Sequence, residues 1–296
     1  MISARDKSAY WHFVAMGTIL FWGTSFVSTK VLLNHDFSAV QIFNIRFFVT
    51  YLILLAASHK QFFCKKLKEE ILLVICGIAG CTIYFWTENT ALLYSQACNV
   101  SFLVCTTPLL TSLLAYVLGK DRMTRYLAIG SAVALVGMAM VVFNGQHELH
   151  LSPKGDFLAI GAALCWAFYS NFMPGILDKY ESSFATRKIF IYGLIAILPV
   201  FVFRPWSASM EVLTEPVVAS NLLFLAVVAS LGCFALWNPV MKNLGIMASS
   251  NYLYLNPVFT LFGSILVLGE KVTVVSGIGS AIILAGVIIA GRSSKS

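Results

Sequence analysis

The octet Gly130-Ser-Ala-Val-Ala-Leu-Val-Gly137 returns 149 residues later as Gly279-Ser-Ala-Ile-Ile-Leu-Ala-Gly286, identical at five of eight positions. Other landmarks repeat around it in the same order. Pro108 answers to Pro257 at the same spacing, and Gly119 to Gly269 within one residue. Nearer the front of each half, Gly17-Thr-Ile-Leu-Phe-Trp22 answers to Gly161-Ala-Ala-Leu-Cys-Trp166, and Trp86 to Trp237. One such match is chance, but an ordered series over half the chain reads as a duplication. The halves divide as 1–145 and 146–296.

Both halves are strongly apolar. Of 296 residues, 59% are hydrophobic and only 11% charged, against roughly 25% charged in a soluble domain. Too few polar residues remain to cover a water-facing surface, so lipid must cover it. A helix needs about 20 apolar residues to cross the hydrocarbon core. Ten such runs are predicted, over 12–33, 38–58, 71–93, 98–118, 124–143, 156–177, 186–203, 221–242, 248–268 and 272–290. The first is too long for a signal-peptide core and no small-residue cleavage site follows it, so it reads as a retained helix. The connections are short; the longest polar stretches are 144–155 and 204–220. The expected fold is an all-α membrane protein of ten transmembrane helices. Five per half is an odd number, which turns the second half upside down in the membrane. Two inverted five-helix repeats are the architecture of many transporters, because antiparallel halves can exchange conformations about a site at the midplane.

The net charge of +7 would suggest a nucleic-acid partner in a soluble chain. Here the basic residues sit in short segments between apolar runs, and no nucleic-acid partner is expected. Fifteen of them, including Lys60, Lys65, Lys66, Lys68, Lys120, Lys179, Arg187, Lys188 and Lys242, fall with the N-terminus and the even-numbered loops. Three, Lys154, Arg204 and Lys271, fall on the other side. An excess of Lys and Arg marks the cytoplasmic face, so both termini are expected there, with the protein in a bacterial inner membrane. The seven cysteines show no CxxC spacing and lie mostly in apolar runs, as small buried hydrophobes. No disulfide, metal or cofactor is expected.

At this point the chain resembles the drug/metabolite transporter superfamily, in its EamA-type branch. The carrying residues are Trp22 followed by Gly23-Thr-Ser25, with counterpart Trp166. Thr106-Thr-Pro-Leu-Leu110, with counterpart Leu255-Asn-Pro-Val-Phe-Thr260, and Gly269-Glu270 before the Gly279 to Gly286 helix complete the pattern. The resemblance runs over essentially the whole chain in both repeats; the order and doubling of the motifs are specific, not any one of them. One departure stands out: the family's usual Gly-Glu ending of the fourth helix is Gly119-Lys120-Asp121 here. The resemblance implies ten helices, a central cavity lined by both repeats and alternating access. It implies substrates among amino acids, purines, sugars and other metabolites, mostly exported.

Ionisable side chains are costly inside a bilayer and point to function. Beyond those in the first or last three residues of a predicted span, three remain: Lys30, Arg46 and Glu88. At 1.5 Å of rise per residue, Arg46 lies roughly 12 Å below the outer surface and Glu88 roughly 25 Å above the inner one. They share the outer layer, so Glu88 is expected to pair with Arg46 or Lys30 at the cavity. The alternatives are that Lys30 snorkels to the interface, that Arg46 and Glu88 form a packing pair, or that Glu88 carries a coupling proton. Pro108 and Pro257 sit mid-helix and free the carbonyls of Val104 and Leu253, as static kinks or as a symmetric pair of hinges. Polar candidates for the cavity are Asn89, Thr107, Asn171, Asn238 and Asn256. Aromatic candidates are Trp22, Tyr84, Trp86, Trp166, Tyr169, Trp237 and Tyr252. Gly130, Gly137, Gly279 and Gly286 are expected to let the fifth and tenth helices approach closely.

No histidine lies deep in a span; His147 and His150 flank Glu148 in a loop without a further ligand set, and GxSxG and HExxH are absent. Enzyme chemistry is therefore not expected. The function expected is secondary transport of a small polar metabolite, an amino acid or relative, by a monomer or weak homodimer in the lipid bilayer. A lipid or lipid-linked flippase, or a carrier of nucleobase- or drug-like compounds, is the alternative.

Overall fold

In this computed structural model the described residues are 4–95, 97–120, 124–143, 152–203, 206, 210–268 and 273–291. Among them every regular element is helical, with no strand. Helix α1 (Ala4–Asn34) turns into α2 (Ala39–Ala57) through Asp36, which takes φ 63°, and through a capping box in which Ser38 and Gln41 exchange hydrogen bonds. Helix α3 (Leu67–Gly77) passes through a π-helical turn, Ile78–Ile83, into α4 (Tyr84–Tyr94). Helices α5 (Ala97–Val104), α6 (Thr107–Val117) and α7 (Arg125–Phe143) follow.

The same series recurs. Helices α8 (Pro153–Leu177) and α9 (Ser182–Ile197) are followed by the short α10 (Val200–Phe203) and α11 (Met210–Thr214). Helix α12 (Pro216–Leu223) then passes through a second π-helical stretch, Phe224–Gly232, into α13 (Cys233–Leu244). Helix α14 (Ile246–Ser250) tightens into a 3₁₀ turn, Asn251–Leu255, before α15 (Asn256–Leu268), and α16 (Val274–Gly291) ends the series. The two π stretches start 146 residues apart and end 149 apart, so the duplication extends to an irregularity of the backbone.

Six helical stretches among the described residues are long and apolar enough to cross a bilayer: Ala9–Asn34, Ala39–Ala57, Leu67–Tyr94, Pro153–Leu177, Ser182–Phe203 and Pro216–Leu244. Thr107–Val117, Arg125–Met140 and Gly277–Ala290 are apolar but shorter. The runs expected over 98–118 and 248–268 are each broken close to their proline, for the reason given below. The stretch 204–220, expected to be a polar connection, instead holds α11 and the start of α12. Pro216 occupies the first turn of α12, where a missing N–H is no loss, and Val218 and Leu222 are buried. Gly269-Glu270, Asp121 and the His147 to His150 segment lie outside the described residues.

Packing exchanges elements between the halves. Helix α1 lies on α15, and α8 of the second half lies on α5 and α6 of the first. Gly23 fits this first seam closely: a Cβ there would stand 2.6 Å from the Cβ of Phe259 and 2.9 Å from the carbonyl oxygen of Asn256. Helices α7 and α16 pack along the repeated octets. A Cβ on Gly137 would lie 2.6 Å from the Gly279 carbonyl oxygen, and one on Gly286 2.7 Å from that of Gly130. The expected close approach of these two helices is therefore present, and only glycine permits it.

Candidate functional site

The irregular turns are where the two halves bond to each other. A π turn widens the helix and leaves carbonyls without their usual i+4 donors, which is why such turns cluster at functional sites. Here side chains from the first half reach those carbonyls in the stretch Phe224–Gly232. Trp22 Nε1 donates to the Ala229 carbonyl at 2.8 Å, and Thr50 Oγ1 to that of Ala226 at 2.7 Å. Arg46 Nε donates to Ser230 Oγ. From the other turn, Thr82 Oγ1 donates to the Gly193 carbonyl at 2.8 Å.

The proline breaks work in the same way. The Val104 carbonyl accepts from Thr107 Oγ1, and the Leu253 carbonyl from Cys105 Sγ at 3.0 Å. These are the two carbonyls that Pro108 and Pro257 release. Side chains satisfy them, so the helices can break at depth without leaving bare backbone.

Between these features lies a cavity. It is lined by Trp22, Ser25, Phe26, Tyr84, Phe85, Glu88, Val104 and Thr107 from the first half and Trp166, Leu253 and Asn256 from the second. Three pairs among them are repeat partners: Trp22 with Trp166, Val104 with Leu253, and Thr107 with Asn256. The free space is about 20 Å³, room for one water molecule. Side chains thus nearly fill the cavity in this conformation. Glu88 Oε1 accepts from Tyr84 Oη at 3.1 Å. Among the described residues Trp166 Nε1 and Asn256 Oδ1 are buried without a hydrogen-bond partner.

Aromatic side chains floor the cavity. Trp22 meets Trp166 edge-on at 5.3 Å between ring centroids, and meets Trp237 at 5.1 Å. Tyr84 lies 5.0 Å from Trp166, which lies 5.1 Å from Tyr169. Three of the four deep tryptophans are therefore together. Trp86 is not with them: it is 37% exposed. It stands two residues from both Tyr84 and Glu88, and two residues of helix turn a side chain about 200° away.

Of the expected site residues, Trp22, Tyr84, Glu88, Thr107, Trp166 and Asn256 line the cavity. The others serve elsewhere. Asn89 Nδ2 donates to the Ala39 carbonyl. Asn171 Nδ2 donates to the carbonyls of Thr111 and Ala167, tying α8 to α6. Asn238 accepts from Tyr169 Oη at 3.0 Å and donates to Ser182 and Thr186, tying α13 to α8 and α9. Tyr252 Oη lies 2.6 Å from His12 Nδ1.

The expected pairing of Glu88 with Arg46 or Lys30 is corrected. Among the described residues Arg46 and Glu88 form no ion pair, although each acts on the other through space. The guanidinium lies over the rings of Phe85 and Phe47, at 4.6 and 5.2 Å from their centroids, and its Nη2 is buried without a partner. Lys30 Nζ donates instead to the carbonyls of Leu92 and Ser95 at the end of α4. The spacing argument gave depth but not direction around the helix, and direction decided both partners.

Sequence reading missed a charged seam at the far end of the bundle. Glu69 takes Lys179 at 2.8 Å and the Tyr180 hydroxyl at 2.6 Å. Glu70 takes Lys188 and Tyr192, and accepts the Cys64 N–H at 2.6 Å. Arg187 donates to the carbonyls of Ser58 and Gln61. These contacts join segment 58–70 of the first half to 179–192 of the second. They were read only as loop charges because their partners are more than 100 residues away. Away from the bilayer-spanning stretches, burial and then Glu70 push the Cys64 thiol up to about 11.

An archaeal relative from Archaeoglobus fulgidus, described as an uncharacterized transporter, is 28% identical and is aligned over 93% of this chain and 95% of its own. A probable amino-acid metabolite efflux pump of Salmonella typhimurium is 24% identical, aligned over 94% and 93%. A probable terminal-alkyne amino-acid exporter of Streptantibioticus cattleyicolor is 26% identical over 75% and 73%. A solved crystal structure shares the fold, with a TM-score of 0.77 at 15% identity, covering 97% of this chain and 99% of that one. The model of the EamA-like transporter family matches residues 9–143 and again 153–292. The chain is a multi-pass membrane transporter of small molecules, not an enzyme, and belongs to the EamA-like transporter family.

Proposed function

We propose that this protein is a secondary transporter that exports amino acids or related small polar metabolites by alternating access. Its ten spans form two inverted five-helix repeats, 1–145 and 146–296, with α5 and α6 making one broken span and α14 and α15 another. Both termini are cytoplasmic and the membrane is a bacterial inner membrane. The observation that carries the reading is the cavity itself. Repeat-related residues line it in pairs, and Trp166 Nε1 and Asn256 Oδ1 are buried beside it with no protein partner. Buried polar atoms are normally satisfied, so a ligand or water is their natural complement. The breaks at Pro108 and Pro257 supply bending points on both sides of the cavity. The relatives described as amino-acid exporters support the substrate class and the direction.

The test compares metabolites inside and outside cells that carry or lack the gene. Accumulation of one or more amino acids or derivatives outside, lost in a Glu88→Gln variant of normal abundance, is the expected result. Identical metabolite profiles, with lipid scrambling by the purified protein in vesicles, would replace export with the flippase reading.

A further inference from the structure

The cavity is electrically one-sided. Glu88 is its single carboxylate, and no lysine, arginine or histidine lines it. The second half supplies no matching acid: Thr107 has its counterpart in Asn256, but Glu88 has none. Among the described residues the Tyr84 hydroxyl is the one hydrogen-bond donor to Glu88. Asn256 Oδ1 adds a second acceptor, unpartnered although the residue is only 4% exposed. The rings of Trp22, Phe26 and Trp166 make up much of the remaining wall. Acceptors that lack donors, set among aromatic faces, are the surroundings that hold a positive charge.

Arg46 is the nearest cation and acts on Glu88 through space, but it does not line the cavity. Its guanidinium is held by Ser230 and the rings of Phe47 and Phe85, and among the described residues it makes no ion pair with Glu88. Size points the same way. The free space of about 20 Å³ takes one group as large as water, and an ammonium is such a group. The rest of a ligand would need the pathway to open, and Trp166 Nε1 is a donor ready for a neutral oxygen on it.

We infer that the cavity recognises its substrate by an ammonium group held between Glu88 and Asn256, and that a carboxylate on the substrate is not recognised there. The substrate class is therefore organic amines, with zwitterions accepted through their amino end and less well. This rests on the transporter reading above and narrows it.

The experiment is a ligand titration of the full-length protein in lipid nanodiscs, read by tryptophan fluorescence and by the melting temperature. The probes are phenethylamine, phenylalanine and 3-phenylpropionate, which share a ring and differ in charge. Phenethylamine should bind at least about tenfold more tightly than phenylalanine, since a second negative charge beside Glu88 is repelled, and 3-phenylpropionate should not bind. Glu88→Gln keeps the shape and an acceptor for Tyr84, and should remove the preference for the amine. Asn256→Asp adds an acid to the same cavity and should tighten phenethylamine, which covers the case of a Glu88 variant that does not fold. Phenylalanine binding as tightly as phenethylamine would overturn the inference, the more so if Arg46→Gln then weakened it. Failure of all three probes to bind would overturn it too. Binding is read without flux, so the two readings fail separately. Amine binding with no export removes the carrier; export of zwitterions with no preference for amines removes only the ammonium site.

Discussion

Glu70 shows how much a single side chain can organise. It lies at the start of α3 and gathers Lys188, Tyr192 and the Cys64 N–H, three groups from two halves of the chain. Cys64 feels this. Only the thiolate attacks a maleimide, and a thiol held near 11 is almost entirely protonated at neutral pH. Alkylation of Cys64 should therefore be slow at pH 7 and should climb with pH until the folded-state value is passed. Burial is the larger cause and Glu70 the next, so Glu70→Gln should move the whole labelling profile to lower pH without reaching that of a free cysteine. Peptide-resolved mass spectrometry across a pH series reads this directly. An unchanged profile would mean that the carboxylate does not reach the thiol. At this scale the sequence singled out Trp22, Glu88 and Thr107 as cavity candidates, because polar or amphipathic groups at membrane depth need a reason, and the three face one cavity. It could not separate Trp86 from Trp237. Both are tryptophans in apolar helices at repeat-related positions, and only the facing of each helix decides which one is buried.

Helices α7 and α16 carry the clearest statement at the level of elements. Their glycines recur at 130, 137, 279 and 286 because each lies against the backbone of the other helix. Gly137→Ala should force them apart, since its Cβ would meet the Gly279 carbonyl oxygen and the Ile283 nitrogen, both at 2.6 Å. Overpacking of that kind destabilises by about 1–3 kcal/mol. Gly17→Ala is the matched control: nothing lies within 4 Å of its Cβ, and alanine favours a helix by up to about 1 kcal/mol. Melting temperatures in detergent should fall for the first and hold or rise for the second. Equal behaviour would mean that the two helices are held by something other than close backbone contact. The prolines were also legible as elements, down to the carbonyls they free. The two π stretches were not. No residue type demands them; the second carries the bonds from Trp22, Thr50 and Arg46, and the first the bond from Thr82 to Gly193.

Contacts between the halves include the octet seam of α7 and α16, the seam of α1 and α15, the central cavity, and the charged seam between segments 58–70 and 179–192. That last seam coincides with the loops that Lys and Arg counts assign to the cytoplasm. Alkaline phosphatase fused after residue 206 should be active in the periplasm, and the same enzyme fused at the C-terminus should be inactive. Activity at both points would break the inverted arrangement of the repeats. The sequence alone determined that this is a duplicated, helical membrane protein, because an apolar composition leaves no choice of solvent and a repeat keeps its order wherever it folds. It also determined which helices must touch closely, because only glycine allows backbones so near. The tertiary structure decided what faces the cavity. Arg46 was turned onto phenylalanine rings and Lys30 onto carbonyls by neighbours from distant parts of the chain, so Glu88 was left as the acidic side chain that lines it. Position along a helix is written in the sequence, whereas rotation about its axis is fixed only when the other helices pack against it.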